Sequence, residues 1–457
     1  MSLTAASPFQ VAQSASISAR TLATLPADAR NDALSAIHVA LSAAKDKILA
    51  ANARDMEAAA RSAENGELSL SVLKRLDLSR KGKLEDMLKG ILDVRELEDP
   101  VGRVSLRTRL DTGLDLERVT CPIGTLLIIF EARPEVIANI ASLAIKSGNA
   151  AILKDEGGKE STESFIAIST VISEALESTQ VPNASIQLLT SRSSIPDLLS
   201  LENLIDLVIP RGSNELVRYI KHNTRIPVLG HADGLCSIYI HETADAEVAK
   251  RVIQDAKTGY PAACNAVETL LVDEAVVETV LPVVAESLMS SGVSLRCDAR
   301  SKDGLTAKLP KSLSVLLQDA AENDYKTEFL DLIIAIKTLP ATPEIPGVEA
   351  AIEHINTYSS HHTDAILTRD RDVAERFMKA VDSAGVFWNT STRMSDGMRF
   401  GFGTEVGIST NKIHARGPVG LEGLTTYKYL LRGEGQVAGE YGEGGKKWKH
   451  ERLPIPE

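Results

Sequence analysis

Aromatic residues make up only 4% of this 457-residue chain, and positive charge is in deficit. Fifty lysines and arginines face 62 aspartates and glutamates, a formal net charge of −12. Sequence-independent nucleic-acid binding needs clustered positive charge and stacking rings, so that class is excluded. Cysteine is sparse as well. The four stand at 121, 236, 264 and 297, far apart and with no Cys-x-x-Cys pair. A metal knuckle or a redox dithiol is therefore unsupported, and the expectation is free thiols in a reducing compartment. No apolar run approaches the roughly 18 residues of a membrane span, and no secretory apolar core opens the sequence. Gly-x-Gly-x-x-Gly after a strand, Gly-x-x-x-x-Gly-Lys-Ser/Thr and Gly-x-Ser-x-Gly are all missing. Gly401-Phe-Gly403-Thr-Glu-Val-Gly407 is a near miss with the wrong spacing.

What is present is the balance of a globular protein: 44% apolar and 25% charged residues, in a length that suits about three ordinary domains or two larger ones. Residues 1–27 hold no acidic residue and are rich in Ser and Ala, with Arg20. That is a faint transit-peptide composition, but 11–25 also read as a first amphipathic helix, and a cytoplasmic protein is expected. Residues 10–100 are Ala-rich and helix-periodic, with Ala33, Ile37, Ala40, Leu41 and Ala44 at three- and four-residue spacing and a further helix over 73–92. Residues 103–121 read as two strands about a turn at Gly113, and a hairpin that interrupts a domain suits an arm between subunits.

From 122 onward apolar runs alternate with helical stretches. Strands are expected at 126–130, 150–153, 186–189, 207–209, 228–229 and 237–240, with helices at 136–146, 160–176 and 215–221. A second run has strands at 267–272, 333–336, 365–367 and 386–388, and helices at 274–289, 347–358 and 371–381. Such βα alternation predicts parallel sheets with helices on both faces. The expected division is a cofactor-binding domain over 1–102 and 122–245, the hairpin 103–121, a catalytic domain over 246–420, and an oligomerisation segment and tail over 421–457.

Three segments could carry chemistry. Cys264, in Gly259-Tyr-Pro-Ala-Ala-Cys264-Asn265, sits on a small-residue loop where the second α/β run opens. It reads equally as an accessible nucleophile or as a small buried core residue. Pro210-Arg211-Gly212-Ser213 follows a strand and opens a helix. Its N–H groups suit a phosphate, and the plainer reading is a Ser-capped turn. Ser147-Gly148-Asn149 leads into a strand that delivers Lys154 at its carboxyl end, the edge where open α/β sheets bind ligands; the plainer reading is a solvated lysine.

Taken in order, Cys121-Pro-Ile-Gly124, Phe130-Glu-Ala-Arg133-Pro134, Ser147-Gly-Asn149, Pro210-Arg-Gly-Ser213, Gly230-His-Ala-Asp-Gly234, Cys264-Asn265, Asn389-Thr-Ser-Thr-Arg393, Asp396-Gly397 and the block from Phe400 to Tyr427 resemble the aldehyde dehydrogenase superfamily over nearly the whole chain. The likeness is to its branch that acts on γ-glutamyl phosphate. The resemblance implies a variant Rossmann cofactor domain without the glycine fingerprint, a second α/β catalytic domain, and a hairpin-and-tail oligomerisation element. It implies NADPH as cofactor, with Lys154 at the adenosine ribose or its phosphate, Gly212 and Ser213 against the pyrophosphate, and Glu328 on the nicotinamide ribose. It implies Cys264 as nucleophile, with the backbone at Cys264 and Asn265 as oxyanion donors. Arg133, Arg393, Arg416, His414 and Asn389 are the candidates for binding an anionic glutamyl substrate, although each arginine reads equally as a structural ion pair. His361 and His362 read as loop residues rather than ligands.

The implied reaction is reduction of L-glutamyl 5-phosphate to L-glutamate 5-semialdehyde with release of phosphate, through a cysteine thioester, in proline biosynthesis. A homo-oligomer is expected, with functional coupling to a glutamate kinase, and neither a nucleic-acid nor a membrane partner. Two departures from hydrolytic relatives stand out. Leu229-Gly-His-Ala-Asp233 lacks the water-activating Glu, and Phe130-Glu-Ala-Arg-Pro134 replaces the segment with the oxyanion Asn. Asp155-Glu156 also separates Lys154 from Gly157-Gly158, closer in most of the family. The alternatives are a relative oxidising a small semialdehyde, by hydrolysis to a free acid, and an inactive scaffold of the same fold.

Overall fold

Thr125–Phe130 (TLLIIF) has no polar alternation and buries every residue, as a strand does when helices cover both faces of a parallel sheet. The computed structural model describes all residues except 1, 2, 5, 67, 69–72, 74, 132, 157–160, 190–194, 232, 341–345, 456 and 457. The chain forms two compact units. One comprises Met1–Leu229, Phe402–Gly407 and Val419–Glu457, the other Gly230–Gly401 and Ile408–Pro418.

The first unit holds a five-stranded sheet in the order Leu3–Thr4, Ile186–Leu189, Ala150–Asp155, Thr125–Phe130, Leu207–Arg211, parallel throughout. The helix Pro8–Leu22, opened by a Ser7 capping box, buries Val11, Ala12, Ala15 and Ala19 against Leu127, Ile129 and Ile152 of that sheet. The helix Val136–Lys146 buries every residue but Asn139. It ends at Gly148, whose φ of +76° suits glycine and where a Cβ would lie 2.6 Å from Pro122 Cγ. A separate antiparallel sheet, in the order Thr425–Arg432, Leu114–Pro122, Val104–Asp111, Glu451–Arg452, joins the hairpin to the last segment.

The second unit holds a seven-stranded sheet in the order Leu317–Asp319, Ser294–Cys297, Ile333–Leu339, Val267–Asp273, Cys236–Ile240, Thr363–Leu367, Gly385–Trp388, again parallel. Side chains alternate across it. Leu270 and Val272 pack with Ala249, Val252 and Ile253 of the helix Ala246–Thr258, while Leu271 points to the other face with Val348, Ala351 and Phe377.

Several expectations need correction. The strand at 237–240, assigned to the first α/β run, is a member of the second sheet, because a strand buried along its whole length reads alike in either parallel sheet. The expected helix at 73–92 is instead Lys83–Glu96, behind Gly82 at φ +86°, a left-handed residue that stops helical continuation; residues 71, 72 and 74 lie outside the described residues. Val228 makes an isolated bridge to Val208 rather than a strand. The helix expected over 274–289 is a short turn, Glu274–Val276, followed by Val280–Ser290. The strands Ser294–Cys297 and Leu317–Asp319 were not anticipated, since neither is a continuous apolar run. Among the described residues, no helix is long and apolar enough to cross a membrane.

Candidate active site

In the second unit, Cys264 lies half-buried in the turn between the helix Ala246–Thr258 and the strand Val267–Asp273. Gly234 holds the turn from the side: a Cβ there would sit 2.6 Å from Cys264 Cα and closer still to its carbonyl oxygen. Only a residue without a side chain permits that backbone approach. The same carbonyl accepts a weak bond from the buried Cys236 thiol at 3.4 Å. Burial pushes the other thiols away from ionisation: Cys236 well up, Cys297 up to about 12, and Cys121 up. Cys264 is thus the accessible thiol of its unit, the condition for a nucleophile.

Asn265, next in sequence, is buried. Its Nδ2 donates to the Ser395 carbonyl at 2.9 Å, and its Oδ1 accepts from Arg393. Arg393 also lies 5.9 Å from the Tyr260 ring centroid, and burial lowers its pKa, with Arg399 adding repulsion. The Asn265 side chain is committed to placing Arg393, which leaves its backbone N–H as its candidate oxyanion donor. Cys264, Asn265 and Arg393 are therefore brought together.

Glu328 joins them through Gly234, whose N–H donates to Glu328 Oε1 at 2.9 Å. A further tie was not anticipated. Lys257 and Glu268, both essentially fully buried, form an ion pair at 2.7 Å. Glu268 Oε1 also accepts from the N–H of Leu330 at 3.3 Å, and Leu330 is left-handed at φ 56°. Burial drives the Glu268 carboxyl up to about 7 and the Lys257 ammonium down, each offset in part by the other. Glu268 thus ties the strand after Cys264 both to the helix Ala246–Thr258 and to the segment bearing Glu328. The Glu within the largely apolar strand Val267–Asp273 was the available signal.

Two imidazoles flank the thiol, and neither was predicted as a site residue. One donor atom each of His231, Cys264 and His362 lie within 4.8 Å of one another. The two rings meet edge to face with centroids 4.8 Å apart. His231 Nδ1 lies 2.9 Å from the Ile408 carbonyl. A carbonyl only accepts, so Nδ1 carries the hydrogen and Nε2 carries the lone pair in the neutral ring. His362 is fully buried; its Nδ1 is 2.9 Å from Thr363 Oγ1, and its Nε2 has no hydrogen-bond partner. His231 stands in the stretch where hydrolytic relatives were expected to carry a carboxylate, so an imidazole takes that place.

The remaining predicted residues of this unit are engaged elsewhere or lie at the surface. Asn389, at φ 53°, accepts from Thr368 N–H at 3.0 Å and donates to the Thr368 carbonyl at 2.9 Å. Arg416 pairs with Asp382 at 2.9 Å, and Lys412 and Arg416 together hold that carboxyl down at about 2. His414 is exposed.

In the first unit, the carboxyl ends of three strands are neighbours: Phe130 is paired with both Asp155 and Arg211. Lys154 is buried rather than solvated; its Nζ bonds the Asp155 carbonyl at 2.9 Å and Glu156 at 3.0 Å. Gly157 and Gly158 lie outside the described residues. Ser213 caps the helix Asn214–Asn223 with its hydroxyl. Its N–H donates to Glu131 Oε2 at 2.8 Å, and its hydroxyl lies 3.3 Å from Glu131 Oε1. A Cβ on Gly212 would lie 2.6 Å from the Glu131 carboxyl carbon. The helix start thus already cradles an anion, and the carboxylate stands in for a phosphate group. Arg133 is half-buried just ahead of the helix Val136–Lys146.

An accessible thiol in the turn that leads into a parallel α/β sheet, in a chain without the glycine fingerprint, fits an aldehyde dehydrogenase, and comparison with known proteins shows that family. Residues 3–299 match the Aldehyde dehydrogenase family. A probable gamma-glutamyl phosphate reductase from Schizosaccharomyces pombe is 56% identical over 95% of this chain and 94% of its own length. The gamma-glutamyl phosphate reductase of Saccharomyces cerevisiae is 50% identical over 98% of each chain. The crystal structure of gamma-glutamyl phosphate reductase from Thermotoga maritima superimposes with a TM-score of 0.86 at 38% identity, covering 94% of this chain and 100% of that one. The chain belongs to the aldehyde dehydrogenase family and, within it, to the gamma-glutamyl phosphate reductases.

Proposed function

We propose that this chain reduces L-glutamyl 5-phosphate to L-glutamate 5-semialdehyde with release of phosphate, the reductive step of proline biosynthesis, and that Cys264 carries the acyl group. The observation that carries the reading is the half-buried Cys264 thiol, held by a side-chain-free Gly234 and flanked by imidazoles and Arg393, in a chain 50% and 56% identical to reductases of that name.

The thiol proton has acceptors at hand in the His231 and His362 rings, directly or through one water. The sulfur then attacks the acyl carbon, forming the C–S bond while the C–O bond to phosphate breaks. Backbone N–H groups at Cys264 and Asn265 stabilise the oxyanion, an effect of about 3–4 kcal/mol per donor. Arg393 supplies positive charge beside the sulfur for the anionic substrate; Arg133, Asn389, His414 and Arg416 remain candidates for its phosphate and carboxylates. Departure of sulfur from the reduced carbon frees the aldehyde and restores Cys264.

The residues fit a nicotinamide dinucleotide. In the first unit Gly212 and Ser213 already accept a carboxylate where a pyrophosphate would bind, and Lys154 is a buried cation at the same sheet edge. In the second, Glu328 would hold the nicotinamide ribose. A bound NADPH would supply the hydride. Preference for NADP follows from the family likeness. A cytoplasmic homo-oligomer is part of the proposal, supported by Tyr427, Tyr429 and Leu431, which leave more than half their surface exposed along Thr425–Arg432. So is coupling to a glutamate kinase, because acyl phosphates are labile.

Run in reverse, oxidation of glutamate 5-semialdehyde should depend strictly on inorganic phosphate. Turnover without phosphate, yielding free glutamate, would instead support a hydrolytic dehydrogenase.

A further inference from the structure

We propose that Cys264, His231 and His362 form a binding site for a soft divalent cation, Zn²⁺ or Cd²⁺, whose occupancy reversibly blocks the nucleophile. Three observations converge on it. The three donor atoms lie within 4.8 Å of one another. His362 is fully buried, with Nε2 lacking any partner among the described residues, and its ring meets that of His231. The Ile408 carbonyl holds His231 through Nδ1 and so orients that ring.

Thiolate with two imidazoles is the donor set that selects zinc-like ions over magnesium or calcium. A carbonyl or hydroxyl on the far ring nitrogen is the usual orienting partner of a metal-bound histidine, and the Ile408 carbonyl and Thr363 Oγ1 occupy those places. Bonds of about 2.0–2.3 Å would need the donors to close by roughly an ångström, which side-chain rotation supplies, and a water would complete the tetrahedron. Binding expels one proton, that of the thiol, and changes no oxidation state. Arg393 beside Cys264 opposes the cation and confines binding to ions that gain a strong bond to sulfur. In sequence the three residues are 33 and 98 positions apart, so no spacing motif announces them.

The site does not depend on Cys264 being the nucleophile; the block on turnover does. Full-length protein, free of added thiols, is titrated with Cd²⁺ while the thiolate-to-cadmium charge-transfer band is followed in the ultraviolet. The expected result is saturation at one ion per chain, no band in Cys264→Ala, and affinity reduced at least about 100-fold in His362→Ala. Should His362→Ala fail to fold, the half-buried His231→Ala serves, with the same expectation. Zn²⁺ should also protect Cys264 from iodoacetamide, with release by a chelator. Absence of the band in the wild-type chain, or an unchanged affinity in His231→Ala, overturns the site. Saturable binding that leaves turnover intact keeps the site and contradicts the role assigned to Cys264.

Discussion

Two sheet edges of similar architecture treat their polar groups differently. At the edge of the first unit, Lys154 is held by Glu156 and Ser213 by Glu131, so the chain's own carboxylates sit where ligand phosphates are proposed to bind. The second unit treats the surroundings of Cys264 in another way. Gly234, Asn265, and the Lys257–Glu268 pair fix the surroundings of Cys264 instead. On the proposed reading the first edge exchanges one anion for another. The second, on the same reading, keeps the Cys264 sulfur and its neighbours in one geometry.

The contrast can be broken at several points. The largest effect is expected from Cys264→Ala, which should lower turnover by at least about 1,000-fold while leaving nicotinamide cofactor binding intact by fluorescence titration. Glu268→Gln strands the Lys257 charge and should cost about 3–5 kcal/mol in urea unfolding, whereas Lys257→Met with Glu268→Leu should recover most of it. Gly234→Ala must push the Cys264 backbone aside; a displacement near an ångström should cost on the order of 100-fold in kcat, with circular dichroism unchanged.

At the first edge the sign reverses. Glu131→Ala removes the surrogate anion and should lower the KM for NADPH about two- to fivefold, the worth of one charge at a helix start, with kcat unaltered. A weaker cofactor complex would show instead that Glu131 positions the site. The smallest effect concerns Asp382, held near pKa 2 against an ordinary 3.8 by Lys412 and Arg416. A depressed carboxyl stabilises the fold above its unfolded pKa and loses that contribution as pH falls toward 2. Asp382→Asn should therefore flatten the acid limb of stability between about pH 4 and 2, by under about 1 kcal/mol for so exposed a group.

Much of this was legible in the sequence where one physical signal dominated. Val136–Lys146, Ile186–Leu189 and Gly347–Tyr358 were bounded to the residue because apolar periodicity ends abruptly at Gly148, at the polar segment after Leu189 and at Pro346. Cys264 was legible as a thiol on a small-residue loop at the opening of the second α/β run. The sheet that owns Cys236–Ile240 was not, since burial on both faces looks the same in either unit. Nor was the Arg416–Asp382 pair, whose members are 34 positions apart, or the carboxylate of Glu131 on the helix start at Ser213. His362 read as a loop residue because it directly precedes a strand; only the fold turns its ring toward Cys264.

The most direct measurement is peptide mapping of the wild-type protein after incubation with freshly made glutamyl phosphate and no nicotinamide. The account predicts one glutamyl group in thioester linkage on the peptide containing Cys264, discharged on addition of NADPH. A glutamyl group on Cys236, Cys121, Cys297 or any other residue, or no adduct in a preparation that turns over, would contradict it.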